Sequence, residues 1–245
     1  VDRDETYIDQ STRYVDIHRP DGKPDVLQQL EHGTLNVIAQ LKNIGHPVRG
    51  IIVPHLHQYH HLGDASTETD NLPYNPGLKP YESDGISSGT PDDRWAFTNR
   101  IPMLDYQTIA AMAAATRALQ PYNSPLAGEC LTQAKRLWEE EKNVPAKEDT
   151  FFARFRAGAE MMAALQLYIT TRDEPYAARF RELIWPALDQ YLAFSMAPAL
   201  QAYPYMDEDF KIRLKDYVLK YKAINDQFSK ENPYGEPTGV TSSYD

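Results

Sequence analysis

Apolar residues recur three or four positions apart in six stretches of this 245-residue chain, the period of a helix that buries one face. The first predicted helix runs from about Pro24 to Asn43, with Leu27, Leu30, Val37, Ile38 and Leu41 on one side. Pro24 suits the first helical turn and Gly45 the stop. The second, about Asp105 to Leu119, carries IAAMAAAT, small residues that permit close helix approach. The third opens with Ser124 as cap and Pro125 at the first helical position, and faces inward with Leu126, Cys130, Ala134, Leu137 and Trp138. The fourth follows Asp149 and spaces Phe151, Phe155, Gly158, Met162, Leu165 and Ile169 at helical intervals. The fifth starts at Glu174-Pro175 and runs through Phe180, Leu183, Ile184, Leu188 and Tyr191, with Pro186 expected to kink or split it. The sixth follows Asp207 with Phe210, Leu214, Tyr217, Tyr221 and Phe228, and the tail from Ser229 reads as loop. The strand candidate is Arg49 to Val53.

Short connections from the second helix onward predict antiparallel neighbours. No short unit repeats, which excludes tetratricopeptide and ankyrin arrays. Stacked helical hairpins remain, as an open solenoid or as an arc of a closed toroid; periodicity does not separate the two. Either way the expected fold class is all-α.

The pattern fails over about sixty residues, His46 to Leu104. Connections longer than about 15 residues in compact domains are usually functional or disordered. This one holds five of the seven histidines, with Tyr59, Tyr74, Tyr81, Trp95 and Phe97. Disordered segments are poor in aromatics, so a folded loop system is expected, with binding or chemistry on it.

Within it, HLHQYHHLGD (His55 to Asp64) is a candidate metal site. On a strand His55, His57 and Tyr59 would share a face, with Asp64 or Asp70 as a further zinc ligand. The spacing matches no established zinc signature; histidines that hydrogen-bond a polar ligand or neighbouring loops are the competing account, and incidental surface histidines a third. The acids Asp64, Glu68, Asp70, Asp84, Asp92 and Asp93 suit a glycosidase, which flanks its scissile bond with two carboxyl groups, and equally suit turns and solvated charge. DDRW (Asp92 to Trp95) reads in two ways. Flanking carboxylates could hold Arg94 for ligand hydroxyls while Trp95 offers a flat face to a sugar ring, or the four residues form a buried salt bridge beside a core tryptophan. Trp138 and Trp185 lie on apolar helical faces and are expected in the core.

Composition narrows the partners. With 42% hydrophobic residues the chain is globular, and a formal charge of -10 argues against nucleic acid or an anionic membrane as partner. There is no signal peptide and no apolar run of about 18 residues, so membrane insertion is not expected. Cys130 is the single cysteine, which rules out an internal disulfide. The start at Val1 and the polar end TGVTSSYD suggest a processed product or a piece of a longer protein.

In order along the chain, PDGKPDVLQQLEHGTLNVIAQL, RGIIVPHLHQYHHLGDAS, DDRWAFTNRIPMLDYQTIAAMAAATRAL, LAGECLTQAKRLWEEE, a helix ending LYITTRDEPY, and ENPYG together resemble glycoside hydrolase family 9. That family holds mostly endo-β-1,4-glucanases (cellulases), with some xyloglucan- or mixed-linkage-active relatives. The likeness is closest to its bacterial branch of polysaccharide degraders and covers about residues 7 to 235. It implies an (α/α)6 toroid, here incomplete, with residues 46–104 forming a substrate groove at one end of a single partial catalytic domain, 1–245. It implies inverting hydrolysis of a β-glucan and an exported protein: secreted, periplasmic or cell-surface. No cofactor is implied; structural calcium, which some relatives bind near the fourth helix, stays open, with no ligands matched to it in EDTFFARF.

The family's catalytic aspartates sit in an Asp-Ala-Gly-Asp motif ahead of the matched segment, and its acid glutamate lies near the C-terminal end. Neither is found, so the chain is expected to be the middle of a catalytic domain and inactive alone. Groove positions carry over. LGDAS (Leu62 to Ser66) stands for the family's Val-Gly-Asp loop, and Arg94 for an arginine before the second helix. STETDN (Ser66 to Asn71) departs from the histidine and tryptophan that many of its cellulases place there. The groove is therefore expected to be lined by His57, Tyr59, His60, Asp64, Arg94 and Trp95. An arc of a toroid leaves helical faces uncovered, which predicts oligomerisation or flanking segments that cover them. A non-catalytic helical-repeat module binding carbohydrate or protein, and a zinc enzyme built on the histidine run, are the rival readings.

Overall fold

A computed structural model describes residues 3–9, 11–12, 14–52, 69–144 and 151–236, with the backbone alone for 151–154. Seven α-helices and two short two-stranded ribbons make up the regular structure of these residues, an all-α fold. The chain divides into two compact units, Val1–Ile38 with Pro102–Asp245, and Ala39–Ile101.

The first unit opens with a hairpin that the hydrophobic pattern does not signal. Strands β1 (Tyr7–Asp9) and β2 (Tyr14–Asp16) pair antiparallel with Ile8 opposite Val15. Three residues are too few to show a period, and neither strand has a buried residue. The Asp9 carboxylate accepts from the Ser11 hydroxyl at 2.6 Å and the Ser11 N–H at 2.9 Å, and these bonds hold its pKa down at about 2. Helix α1 (Asp25–Asn43) follows, the Leu27 and Gln28 N–H groups donating to the Pro24 carbonyl, the Asp25 N–H donating to the Arg3 carbonyl, and its end marked by Gly45 at φ +94°. Leu27, Leu30, Val37, Ile38 and Leu41 fall on its less exposed side, as the period requires.

Helices α2 (Pro102–Leu119), α3 (Ser124–Glu141) and α4 (Phe151–Thr171) form the core of the first unit, with the most extensive contact between α2 and α4. The small residues account for this. Ala113 of α2 and Ala163 and Ala164 of α4 are fully buried. With no bulk between the backbones, the Thr170 hydroxyl of α4 comes within 2.8 Å of the Ala113 carbonyl of α2. Arg117 of α2 donates to the Gln166 side chain at 2.6 Å and to the Thr170 hydroxyl at 2.5 Å. Cys130 is buried in α3, where desolvation pushes its thiol up to about 11 and leaves it inert.

The cap of α3 is one residue earlier than expected. Asn123 takes the position, its Oδ1 accepting from the Leu126 N–H at 3.1 Å while its Nδ2 donates to Glu31 of α1 at 2.6 Å. Trp138 is core, packed edge-on between Tyr106 and Tyr176 at centroid distances of 5.8 and 5.4 Å. Trp185 is only half-buried, with the Tyr217 ring stacked 5.9 Å away and the Arg213 guanidinium 4.2 Å over it.

Pro186 does not split its helix. Helix α5 (Glu174–Gln190) continues through it, and the break comes at Tyr191, whose φ of -137° leaves the helical region before α6 (Leu192–Ala202) begins. Leu188, Leu192 and Met196 keep helical spacing across the break, so the pattern alone reads as one helix. A 3-10 turn (Tyr203–Tyr205) leads to α7 (Glu208–Glu231), capped by Asp207, whose Oδ1 accepts from the Phe210 N–H at 2.9 Å. No helix of the described residues is long and apolar enough to cross a membrane.

The close α2–α4 approach yields a prediction. Ala113→Leu should lower stability by about 1–3 kcal/mol, the usual cost of overpacking, read as a shifted urea midpoint. An unchanged midpoint would show that the two helices are not in tight contact there.

Candidate functional site

The second unit holds the DDRW segment, and its local structure is made by short polar side chains. Asp70, Asn75 and Asp84 accept from the N–H groups two residues on, at 2.8, 2.9 and 2.9 Å, each closing a tight turn. The main chain is tied as well: Asn75 donates to the Ser88 carbonyl at 2.7 Å, and Ser88 to the Pro73 carbonyl at 2.9 Å. A Cβ on Gly89 would stand 2.0 Å from the Lys79 carbonyl oxygen, so only glycine permits this crossing.

DDRW closes the system. Asp92 is buried, and its Oδ2 accepts from the Asp70 N–H at 2.6 Å. Asp93 accepts from the Tyr74 N–H at 2.9 Å. Arg94, half-buried, turns its Nη1 back onto the carbonyls of Asp92 at 2.6 Å and Asp93 at 3.4 Å. A backbone N–H thus occupies one oxygen of each flanking carboxylate, and Trp95 is no core residue: it is 65% exposed.

Trp95 opens β4 (Trp95–Ala96), which pairs antiparallel with β3 (Ile51–Ile52), Ile52 opposite Trp95 and Ile51 opposite Ala96. Of the expected strand Arg49 to Val53, Ile51 and Ile52 are strand, paired with a partner that the sequence did not indicate, and Val53 lies outside the described residues. Ile51, Ile52, Trp95 and Phe97 are all exposed, an apolar ribbon at the surface. Phe97 was visible as an aromatic of the loop, and its alternation with Trp95 around Ala96 is the signal that marks it.

Of the expected groove residues the structure thus places Arg94 and Trp95 side by side in sequence, one turned onto the loop and the other out to solvent. His57, Tyr59, His60 and Asp64, with His55, His61 and Glu68, lie outside the described residues. Among the described residues no three His, Cys, Asp or Glu side chains converge as metal ligands.

A cleft of about 940 Å³ in the first unit lies between α3 and α5, lined by Trp138, Glu139, Glu160, Tyr176 and Arg179. It is unsuited to stacking a ligand. Trp138 and Tyr176 are buried edge-on, and Arg179 is engaged by Glu160 at 2.7 Å and Glu182 at 2.8 Å. The exposed ribbon is the better candidate.

The Asp84 turn carries a pH signature. Hydrogen bonds from the Ser87 N–H, the Ile86 N–H and the Ser87 hydroxyl hold its pKa below the usual carboxylate value. With the folded pKa lowered, the turn is stabilised above the ordinary carboxylate pKa, and that contribution is lost as pH falls through the lowered value. A carbon-detected NMR titration of the Asp84 carboxyl should give a midpoint below 3.8; one at or above it would mean that the turn is not formed in solution.

The sequence model described as Glycosyl hydrolase family 9 matches residues 59–241, a span that takes in DDRW and helices α2 to α7. No curated protein sequence matches the chain significantly. No solved structure does so either.

Proposed function

The chain belongs to glycosyl hydrolase family 9, and from that premise we propose that it forms the substrate-binding part of an enzyme cleaving β-1,4-linked glucans: cellulose, mixed-linkage glucan or xyloglucan. The observation that carries the reading is Trp95, an indole 65% exposed on a short ribbon whose approach is pinned by Asp92, Asp93 and Arg94. With Phe97 and Ile52 the indole forms a contiguous exposed apolar patch of the kind that marks an interaction surface, and the apolar face of a pyranose suits it. The turn that Arg94 closes presents the indole, so the two residues serve one surface in different ways. His57, Tyr59, His60 and Asp64 are assigned to the same groove on the family resemblance.

The reaction in this reading is inverting. One carboxylate activates water while a carboxylic acid protonates the leaving oxygen, the two about 6.5–9.5 Å apart to admit the water. The Asp-Ala-Gly-Asp motif that carries the family's water-activating aspartates does not occur in residues 1–24. We therefore assign the named residues of this chain to substrate binding and none of them to proton transfer, within an exported glycoside hydrolase.

The test is direct. Protein carrying its native flanking sequence, given carboxymethylcellulose, mixed-linkage glucan and xyloglucan, should release reducing ends from at least one, with inverted anomeric configuration by NMR. Retained configuration would overturn the mechanism, and neither binding nor cleavage of any of the three would overturn the substrate class.

A further inference from the structure

Side chains alternate across a strand, so Trp95 and Phe97 share one face of the β4 segment, and Ala96 takes the other. Phe97 continues the ladder, its N–H donating to the Gly50 carbonyl at 3.0 Å. A Cβ on Gly50 would lie 3.8 Å from Phe97 Cδ2, so the ring rests over bare backbone. Ile52, opposite Trp95, stands on the same face. That face is open: Trp95 is 65%, Phe97 45% and Ile52 47% exposed.

Side chains two residues apart on a strand are separated by roughly 6.6–6.8 Å along it, which sets the Trp95 and Phe97 rings side by side on one open face. We infer that Trp95 and Phe97 form a two-ring platform for neighbouring sugar units of one extended β-glucan, with Ile52 as its apolar edge and Gly50 as the clearance beside the second ring. Phe97 is thus a binding residue in its own right. The ribbon reads a run of at least two sugars and discriminates against chains whose linkage bends the second ring off the face. Arg94 serves the platform from its far end by fixing the turn that leads into β4. This inference rests on the glucan-binding reading, and the two can fail separately.

The experiment is calorimetric titration of the 245-residue chain with cellohexaose and mixed-linkage glucan, comparing Phe97→Ala, Phe97→Tyr and, on the opposite face of the ribbon, Ile51→Ser. Loss of one ring–sugar contact of about 0.5–1.5 kcal/mol weakens binding roughly two- to twelvefold. Phe97→Ala should fall in that range, Phe97→Tyr should restore binding, and Ile51→Ser should leave it unchanged. Because both positions are exposed, far-UV circular dichroism should stay the same for all three variants. If the unaltered chain binds and Phe97→Ala binds equally well, the platform is overturned and the glucan-binding reading stands. Equal losses in Phe97→Ala and Ile51→Ser also overturn it, since the effect would then belong to the ribbon as a whole. If this chain alone binds neither glucan, the same comparison is read in the protein carrying its native flanking sequence; if that too binds neither, the reading and the platform fall together.

Discussion

The helical unit depends on how closely α2 and α4 approach. Alanines on both helices bring the backbones near enough for the Thr170 hydroxyl to reach the Ala113 carbonyl, and Arg117 bonds across the same contact to Gln166 and Thr170. Buried polar groups of this kind are stable only when their hydrogen bonds are made. The contact therefore specifies one register of α2 on α4, and α3 and α5 pack against the pair so defined. The aromatic line Tyr106, Trp138 and Tyr176 extends it through α3 to α5 by edge-on ring contacts.

The second unit is built on the opposite plan. Few of its described side chains are buried, and the main chain of the described residues is organised by Asp, Asn and Ser side chains that accept from nearby N–H groups, with Gly89 permitting one close crossing. Such a scaffold needs no large hydrophobic core, so its apolar residues can face outward. Trp95, Phe97, Ile51 and Ile52 do so. Glycan recognition benefits from that arrangement, because ring stacking needs aromatic faces presented to water and held still.

What was legible in the sequence follows from this contrast. The helices declared themselves through period, and the stop at Gly45 and the start after Asp207 were read correctly because each rests on a local rule of backbone or cap chemistry. Asn123 took the cap expected of Ser124: both are good cap residues by the local rule, and the second bond that Asn123 makes, to Glu31 distant in sequence, was not legible. The α5–α6 break was hidden by apolar spacing that runs on through Tyr191. Strands of two or three residues carry no usable period, which is why β1, β2 and the partner of β3 escaped notice. In DDRW both acids were expected to hold Arg94, whereas the bonds described for them come from backbone N–H groups about twenty residues back, a choice made by the fold. The family resemblance was legible because it rests on several blocks in order, and the family match over residues 59–241 bears it out.

The central claim is that glucan lies on the β3–β4 ribbon. Hydrogen–deuterium exchange of the chain with and without cellohexaose tests it most directly. The account predicts slower exchange in peptides covering residues 49–52 and 94–98, with α3 and α5 unchanged. Protection confined to the α3–α5 cleft around Glu160 and Arg179, with the ribbon unaffected, would contradict it.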